Sequence, residues 1–150
     1  MYPQPVVAEF VRQNFIPVRL HVKQDAAEFQ RVGGLLNAQW TPTTLIVEPP
    51  ATERHRIEGF LPVEDFLSQL ALGLAKAAFA RGDFAGSERA YALVVDKYPN
   101  TDAAAESQYW AGVSRYKATG DAAALTETAR RFKERYSDST WAKKASVWAA

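Results

Sequence analysis

The chain contains no cysteine, which removes structural disulfides, thiolate metal sites and thiol redox centres from its 150 residues. Histidine is nearly absent: His21 and His55 are the two imidazoles, and neither stands in a spacing with acidic residues that would suggest a zinc site or a hydrolase. There is no Gly-x-Ser-x-Gly elbow. Gly33-Gly34 is not a phosphate loop, since no Gly-rich turn joins a strand to a helix with a lysine. Catalytic residues, metals and cofactors are therefore not expected in this chain. No apolar run approaches the roughly 18 residues needed to cross a bilayer. The opening Met1-Tyr2-Pro3-Gln4-Pro5 has no basic region followed by an apolar core. The expectation is a cytoplasmic chain with no membrane partner. Charge of one sign is missing too: 18 basic against 17 acidic residues gives +1, so no nucleic-acid partner is expected. With 47% hydrophobic and 23% charged residues the composition is that of a globular chain, one domain or two small ones.

What is present divides into two halves with different periods. Val6, Val7, Phe10 and Val11 fit one buried face of a helix that Asn14 ends. Ile16, Val18, Leu20 and Val22 alternate at period two, which predicts a strand over 16–22. Asp25 is placed to cap a helix over 26–36, with Glu28 as its capping-box partner and Gly33-Gly34 weakening the end. Trp40-Thr41-Pro42 leads the β-branched run 43–48, where a proline can stand only at a strand's beginning. A turn on Pro49-Pro50-Ala51-Thr52, a strand over 54–60 and a helix from 62 complete this half. His21 falls on the outward phase of its strand and His55 lies on an edge strand, so both read as solvent-exposed.

From about Phe66 onward strand signals vanish and alanine becomes dense. Gly82-Asp83 recurs as Gly120-Asp121 and Tyr98 as Tyr136, with Val94 opposite Phe132, an interval that means stacked helix pairs. Leu74, Ala75 and Ala78, then Gly82-Asp83-Phe84, then Ser87, Tyr91 and Val94, closed by Pro99, resemble a tetratricopeptide unit. Small residues at 75 and 78 let two helices approach. Tyr109-Trp110-Ala111-Gly112 opens a second, irregular unit, because Gly112 lies eight residues before Gly120. Ser139-Thr140-Trp141 starts a capping helix. A helix over 62–80 is expected to run from one half into the other.

The first half resembles thioredoxin-like proteins. The residues that carry the likeness are Tyr2-Pro3-Gln4-Pro5-Val6, Asn14-Phe15-Ile16-Pro17-Val18-Arg19, Thr41-Pro42-Thr43 and Arg56-Ile57-Glu58-Gly59-Phe60-Leu61. The resemblance implies a Cys-x-x-Cys pair and a central strand, between those matching 16–22 and 43–48, that this sequence does not contain. Three explanations stand: the missing segment lies upstream of Met1; the sheet is completed by strand exchange or a borrowed strand; or 16–22 pairs directly on 43–48. The resemblance further implies that Thr41 offers its backbone to an extended substrate beside a cis Pro42, with Trp40 as a flat contact.

The fold expected is α/β followed by α: a partial thioredoxin-like sheet domain over 1–70, lacking its first strand and Cys pair, and a tetratricopeptide-like array over 71–150. The function expected is a non-catalytic interaction module for a protein or peptide, accessory to thiol redox or protein folding. The alternative is a thiol–disulfide oxidoreductase whose Cys pair lies upstream. Peptide contacts are expected at Trp40, Thr41 and Pro42, and partner contacts at Tyr91, Tyr109 and Trp148, with a homodimer through strand exchange among the partners. Arg130, Arg131, Lys133, Arg135, Lys143 and Lys144 give the last helices a basic flank, read as a solvated repeat face.

Overall fold

A computed structural model describes residues 4–149, so Tyr2 and Pro3 of the thioredoxin-like likeness lie outside the described residues. The chain forms two compact units that divide between Val63 and Glu64.

In the first unit, α1 (Pro5–Asn14) starts on a proline whose missing N–H costs nothing at a helix N-terminus. It ends where Asn14 Nδ2 turns back to donate to the Phe10 carbonyl at 2.8 Å. Val7, on the apolar face anticipated from the sequence, is fully buried. α2 (Ala26–Leu35) follows, but not with a capping box. Asp25 Oδ2 instead accepts from the His21 N–H at 2.7 Å, and Glu28 bonds Arg31. The carboxylates are taken by closer partners.

The strand predicted over 16–22 does not form. Ile16 is 96% and Val18 81% exposed, and no hydrogen-bonded strand lies beside them among the described residues. Alternation supplies only an apolar edge. A strand also needs a ladder partner, and Pro17 cannot donate to one. Pairing of 16–22 on 43–48 is accordingly absent. Instead β1 (Thr43–Glu48) pairs antiparallel with β2 (Thr52–Glu58) in a two-stranded sheet. β2 begins two residues earlier than predicted and stops before Gly59, whose φ of +86° breaks the extended run. The Gly59 N–H donates to the Pro42 carbonyl at 2.8 Å and closes the open end of the hairpin. The register slips between Ile46 and Val47, leaving Arg54 as the extra residue of a bulge, from which its Nε reaches Glu48 at 2.6 Å. Both Thr41–Pro42 and Pro49–Pro50 are cis. From β2, Arg56 donates to the Leu36 and Asn37 carbonyls just past α2 while pairing with Glu53 at 2.7 Å and Glu58 at 3.3 Å. One guanidinium thus ties the end of α2 to the sheet.

The second unit is all helical: α3 (Val63–Ala80), α4 (Phe84–Lys97), α5 (Asp102–Thr119), α6 (Ala123–Glu134) and α7 (Thr140–Ala145), ending in a 3₁₀ turn over Ser146–Trp148. The internal repeat is physical. Gly82 and Gly120 both take positive φ, +79° and +73°, after α3 and α5. Asp83 Oδ1 then accepts from Gly86 N, and Asp121 Oδ1 from Ala123 N, each at 2.9 Å. Val94 and Phe132, opposite one another in the repeat, are both buried.

Close approach is made by small residues on α5. Ser87 Oγ of α4 donates to Ser114 Oγ of α5 at 2.8 Å, both fully buried. On the other side, Gly112 faces Thr128 of α6 so tightly that an added Cβ would lie 1.9 Å from Thr128 Oγ1 and 2.8 Å from its Cβ. This explains the irregular second unit, since the glycine answers the neighbouring helix rather than the repeat pattern. Gly112→Ala is expected to destabilise the helical unit by roughly 1–3 kcal/mol through overpacking, despite alanine's better helix propensity. Urea unfolding followed by circular dichroism measures it. Unchanged or raised stability would mean that α5 and α6 can separate freely.

Candidate functional site

Adjacent residues on a helix point about 100° apart. Tyr109 and Trp110, side by side on α5, therefore address different neighbours. Trp110 meets Phe79 near the end of α3, edge to face at 5.2 Å between ring centres, and Phe79 meets Phe84 at the start of α4 at the same distance. Tyr109 contacts Trp141 of α7 at 5.2 Å and stacks on Trp148 of the final turn at 4.8 Å and 26°. Tyr109 and Trp110 join the two groups at 5.5 Å. The result is one continuous row of six rings. Phe79, Tyr109–Trp110 and Trp141 all lie on the first helix of a pair or on the cap, so the row crosses the array from repeat to repeat. Each ring is half-buried. Edge-to-face and offset contacts of this kind add about 0.5–1.5 kcal/mol per pair beyond area burial, which holds the rings in place while part of each meets solvent.

Around the row the charges are unequal. Lys76, one turn before Phe79, pairs at 3.0 Å with Glu106, one turn before Tyr109 and Trp110. Lys117 sits with its ammonium 5.2 Å from the Phe84 ring centre, and Lys144 lies 4.1 Å from that of Trp141. The basic flank is largely answered from within: Arg130 contacts Glu127 and Glu134, Arg131 reaches Glu127 at 3.1 Å, and Arg135 lies over the Tyr136 ring. Hydrogen bonds from Arg130 and Arg131 hold the Glu127 carboxyl down to about 2.

Next to Trp141 lies an open cleft of about 500 Å³, lined by Thr101, Asp102, Tyr136 and Ser139 among others. Three of its hydroxyls are engaged. Thr101 Oγ1 donates to the Tyr98 carbonyl, Tyr136 Oη to the Pro99 carbonyl, and Ser139 Oγ to the Tyr136 carbonyl. No hydroxyl there is paired with a base that would make it a nucleophile, and no group of three or more potential metal ligands occurs among the described residues.

The residues singled out from the sequence fall in three environments. Tyr109 and Trp148 meet in the aromatic row. Tyr91 does not join them: it is 1% exposed, packed in the helical core, and its burial, with the nearby Glu106 charge, pushes the phenol well above its ordinary range. A side chain so enclosed presents no surface to a partner; its helical spacing reported core, not contact. Trp40, Thr41 and Pro42 lie in the first unit and are exposed, Trp40 by 68%. The Trp40 carbonyl accepts from Thr43 Oγ1 at 2.6 Å and the Pro42 carbonyl from Gly59. The Thr41 backbone makes no hydrogen bond among the described residues. Phe79 and Lys117 were not singled out, Phe84 was read only as part of the Gly82-Asp83-Phe84 turn, and Lys144 only as part of the basic flank. Their signal is tertiary: two phenylalanines flanking the Gly82-Asp83 turn are five residues apart and read as separate until the turn folds them together.

Comparison with known families matches residues 69–101 to the tetratricopeptide repeat. That stretch covers α4 and most of α3, the pair with the repeat's small and apolar positions, so the second unit is a tetratricopeptide-like helical array. No curated protein and no solved structure matches the chain. The fold as a whole is mixed: seven α-helices and a two-stranded antiparallel sheet among the described residues, with none of the helices long and apolar enough to cross a membrane.

The Glu127 cluster gives a pH test. A carboxyl held near 2 when folded and near its ordinary 4.5 when unfolded contributes stability that is complete above about 4.5 and lost as pH falls toward 2. Because the group is exposed the contribution is small and salt-sensitive. Urea unfolding between pH 5 and pH 2 should fall less steeply for Glu127→Gln than for the unaltered chain. Parallel curves would mean that Arg130 and Arg131 do not hold the carboxylate.

Proposed function

We propose that this chain is a protein-interaction module whose helical array holds a segment of a partner protein against the aromatic row. The observation that carries the reading is that row: six half-buried rings crossing a tetratricopeptide-like array, fixed by one another and partly open to solvent. Half-buried tyrosine and tryptophan already have restricted rotamers, so a partner that covers them gains apolar contact at little entropic cost. Tyr109 and Trp148 are the central anchors. Proteins retained by the immobilised chain from its source cells should be lost with Tyr109→Ala or Trp148→Ala, a drop of about tenfold or more in affinity for a central aromatic. Leu93→Ala, at an exposed position of α4, should leave retention unchanged. A set of bound proteins indifferent to both aromatic substitutions would reject the reading.

A second contact is proposed at Trp40, Thr41 and Pro42 of the first unit, where an extended segment would bond to the Thr41 backbone and lie along Trp40. The unpaired Thr41 amide and carbonyl and the exposed indole support it. Amide hydrogen exchange at Thr41 should slow severalfold when a retained partner is added. Exchange that stays as fast as in the free chain would restrict binding to the helical unit.

A further inference from the structure

The first unit holds a sheet edge without a strand and a strand-like segment without a sheet. Gly59 bonds Pro42, and residues along an antiparallel strand turn their backbone groups alternately toward and away from the partner. Thr44 and Ile46 therefore face β2, while Thr43, Leu45 and Val47 turn their amides and carbonyls away. No third strand takes up those groups among the described residues. The two edges of the hairpin are not alike. β2 has the bulge at Arg54 and carries Glu53, Arg54, Arg56 and Glu58, irregularity and charge that discourage further pairing. β1 runs Thr43-Thr44-Leu45-Ile46-Val47, with no charge before Glu48 and no extra residue of its own.

The segment 16–20 is the complement of that edge. Laid out as a strand, it presents alternate residues to opposite sides. One side is already spent. Pro17 has no N–H, and His21 donates its N–H to Asp25 Oδ2 and accepts the Asp25 N–H at its carbonyl. The other side, at Ile16, Val18 and Leu20, has every N–H and C=O, and none of them is bonded among the described residues. Phe15 enters the segment in an extended conformation, φ −138° and ψ 160°, and Ile16 and Val18 are exposed.

We infer that two copies of this chain exchange these strands, segment 16–20 of each pairing antiparallel on the free edge of β1 in the other. The occupant is a second copy because this chain itself supplies a segment with one complete edge and the matching apolar alternation. The exchange is reciprocal, so it closes as a two-fold dimer in which each hairpin gains a third strand. Residues that face the shared edge oppose one another, which sets Val18 against Leu45, Ile16 against Val47 and Leu20 against Thr43 on one face. A slip of one residue would turn the spent side of the segment to the ladder. The inference does not depend on the reading of the helical array.

The full chain is followed by analytical ultracentrifugation, where a species of twice 16.7 kDa is expected that dissociates on dilution. Val18→Pro removes an N–H from the pairing side and should weaken dimerisation roughly tenfold or more. Arg19→Pro, on the spent side, should leave it unchanged. Both positions are exposed, and circular dichroism compares the helix content of the two variants. A second measurement uses the absence of native thiols. Val18→Cys combined with Leu45→Cys places the only two cysteines at a facing pair, and oxidation should give a disulfide-linked dimer that reduction returns to 16.7 kDa. A monomer at every concentration up to about 0.1 mM would overturn the inference. So would a dimer untouched by Val18→Pro, or one weakened equally by Arg19→Pro. A disulfide closed within one chain would place 16–20 on its own β1, and open-ended larger species would mean pairing without exchange; either result rejects the closed dimer.

Discussion

Everything in the helical unit depends on how closely α5 can approach the helices on either side of it. Helices with ordinary side chains at their contact keep their axes about 8–10 Å apart, and smaller residues draw them together. On α5 the contacts are Ser114 against Ser87 and Gly112 against Thr128, small residues on the α5 side, and at Gly112 no room is left for a methyl group. The hydroxyl pair is buried yet satisfied, because Ser87 finds Ser114 across the interface. α5 is thereby held between α4 and α6, and every residue it carries is positioned by the same restraint.

The aromatic row follows from that placement. Tyr109 and Trp110 reach opposite neighbours because they are consecutive on a helix that has neighbours on both sides. Phe79 and Phe84 join because the Gly82 turn, with φ of +79°, folds the end of α3 back toward the start of α4. The rings neither sink wholly into the core nor stand free. Tyr109, Trp141 and Trp148 pack on buried Ala105, Phe132 and Ala145, with part of each ring left in solvent. Lys117 and Lys144 each set an ammonium over a ring of the row, Phe84 and Trp141, so apolar area and charge become parts of one surface.

The first unit is organised by a different device. A two-stranded sheet is marginal by itself, and here Arg56 adds to it by bonding the carbonyls that follow α2 while its own charge is met by Glu53 and Glu58. The segment 15–22 has no such tie. Ile16, Val18 and Val22 remain in solvent, and the segment is held locally by the Phe15 N–H bond to the Val11 carbonyl and by the turn in which His21 Nδ1 and Asp25 accept backbone N–H groups.

Local physics made much of this legible without coordinates. The helix ended by Asn14, the strand led by Thr41-Pro42, the glycine-ended helices and the tetratricopeptide-like pair all follow from interactions within a few residues: side-chain period, a missing N–H, a positive φ, a carboxylate beside free amides. The readings that went astray concerned longer reach. Ile16 to Val22 has a strand's alternation, but a strand exists only if another segment completes its ladder. Asp25 and Glu28 have a capping box's spacing, but His21 and Arg31 compete for them. Tyr91 and Tyr109 look alike in sequence, and only the packing of α4 against α5 sends one into the core and the other to the surface. What the sequence determined by itself was which segments turn, cap and bury a face, because those energies are local. Which aromatics converge, and which lysines lie over their rings, was decided by tertiary structure, because both depend on the distance between helices.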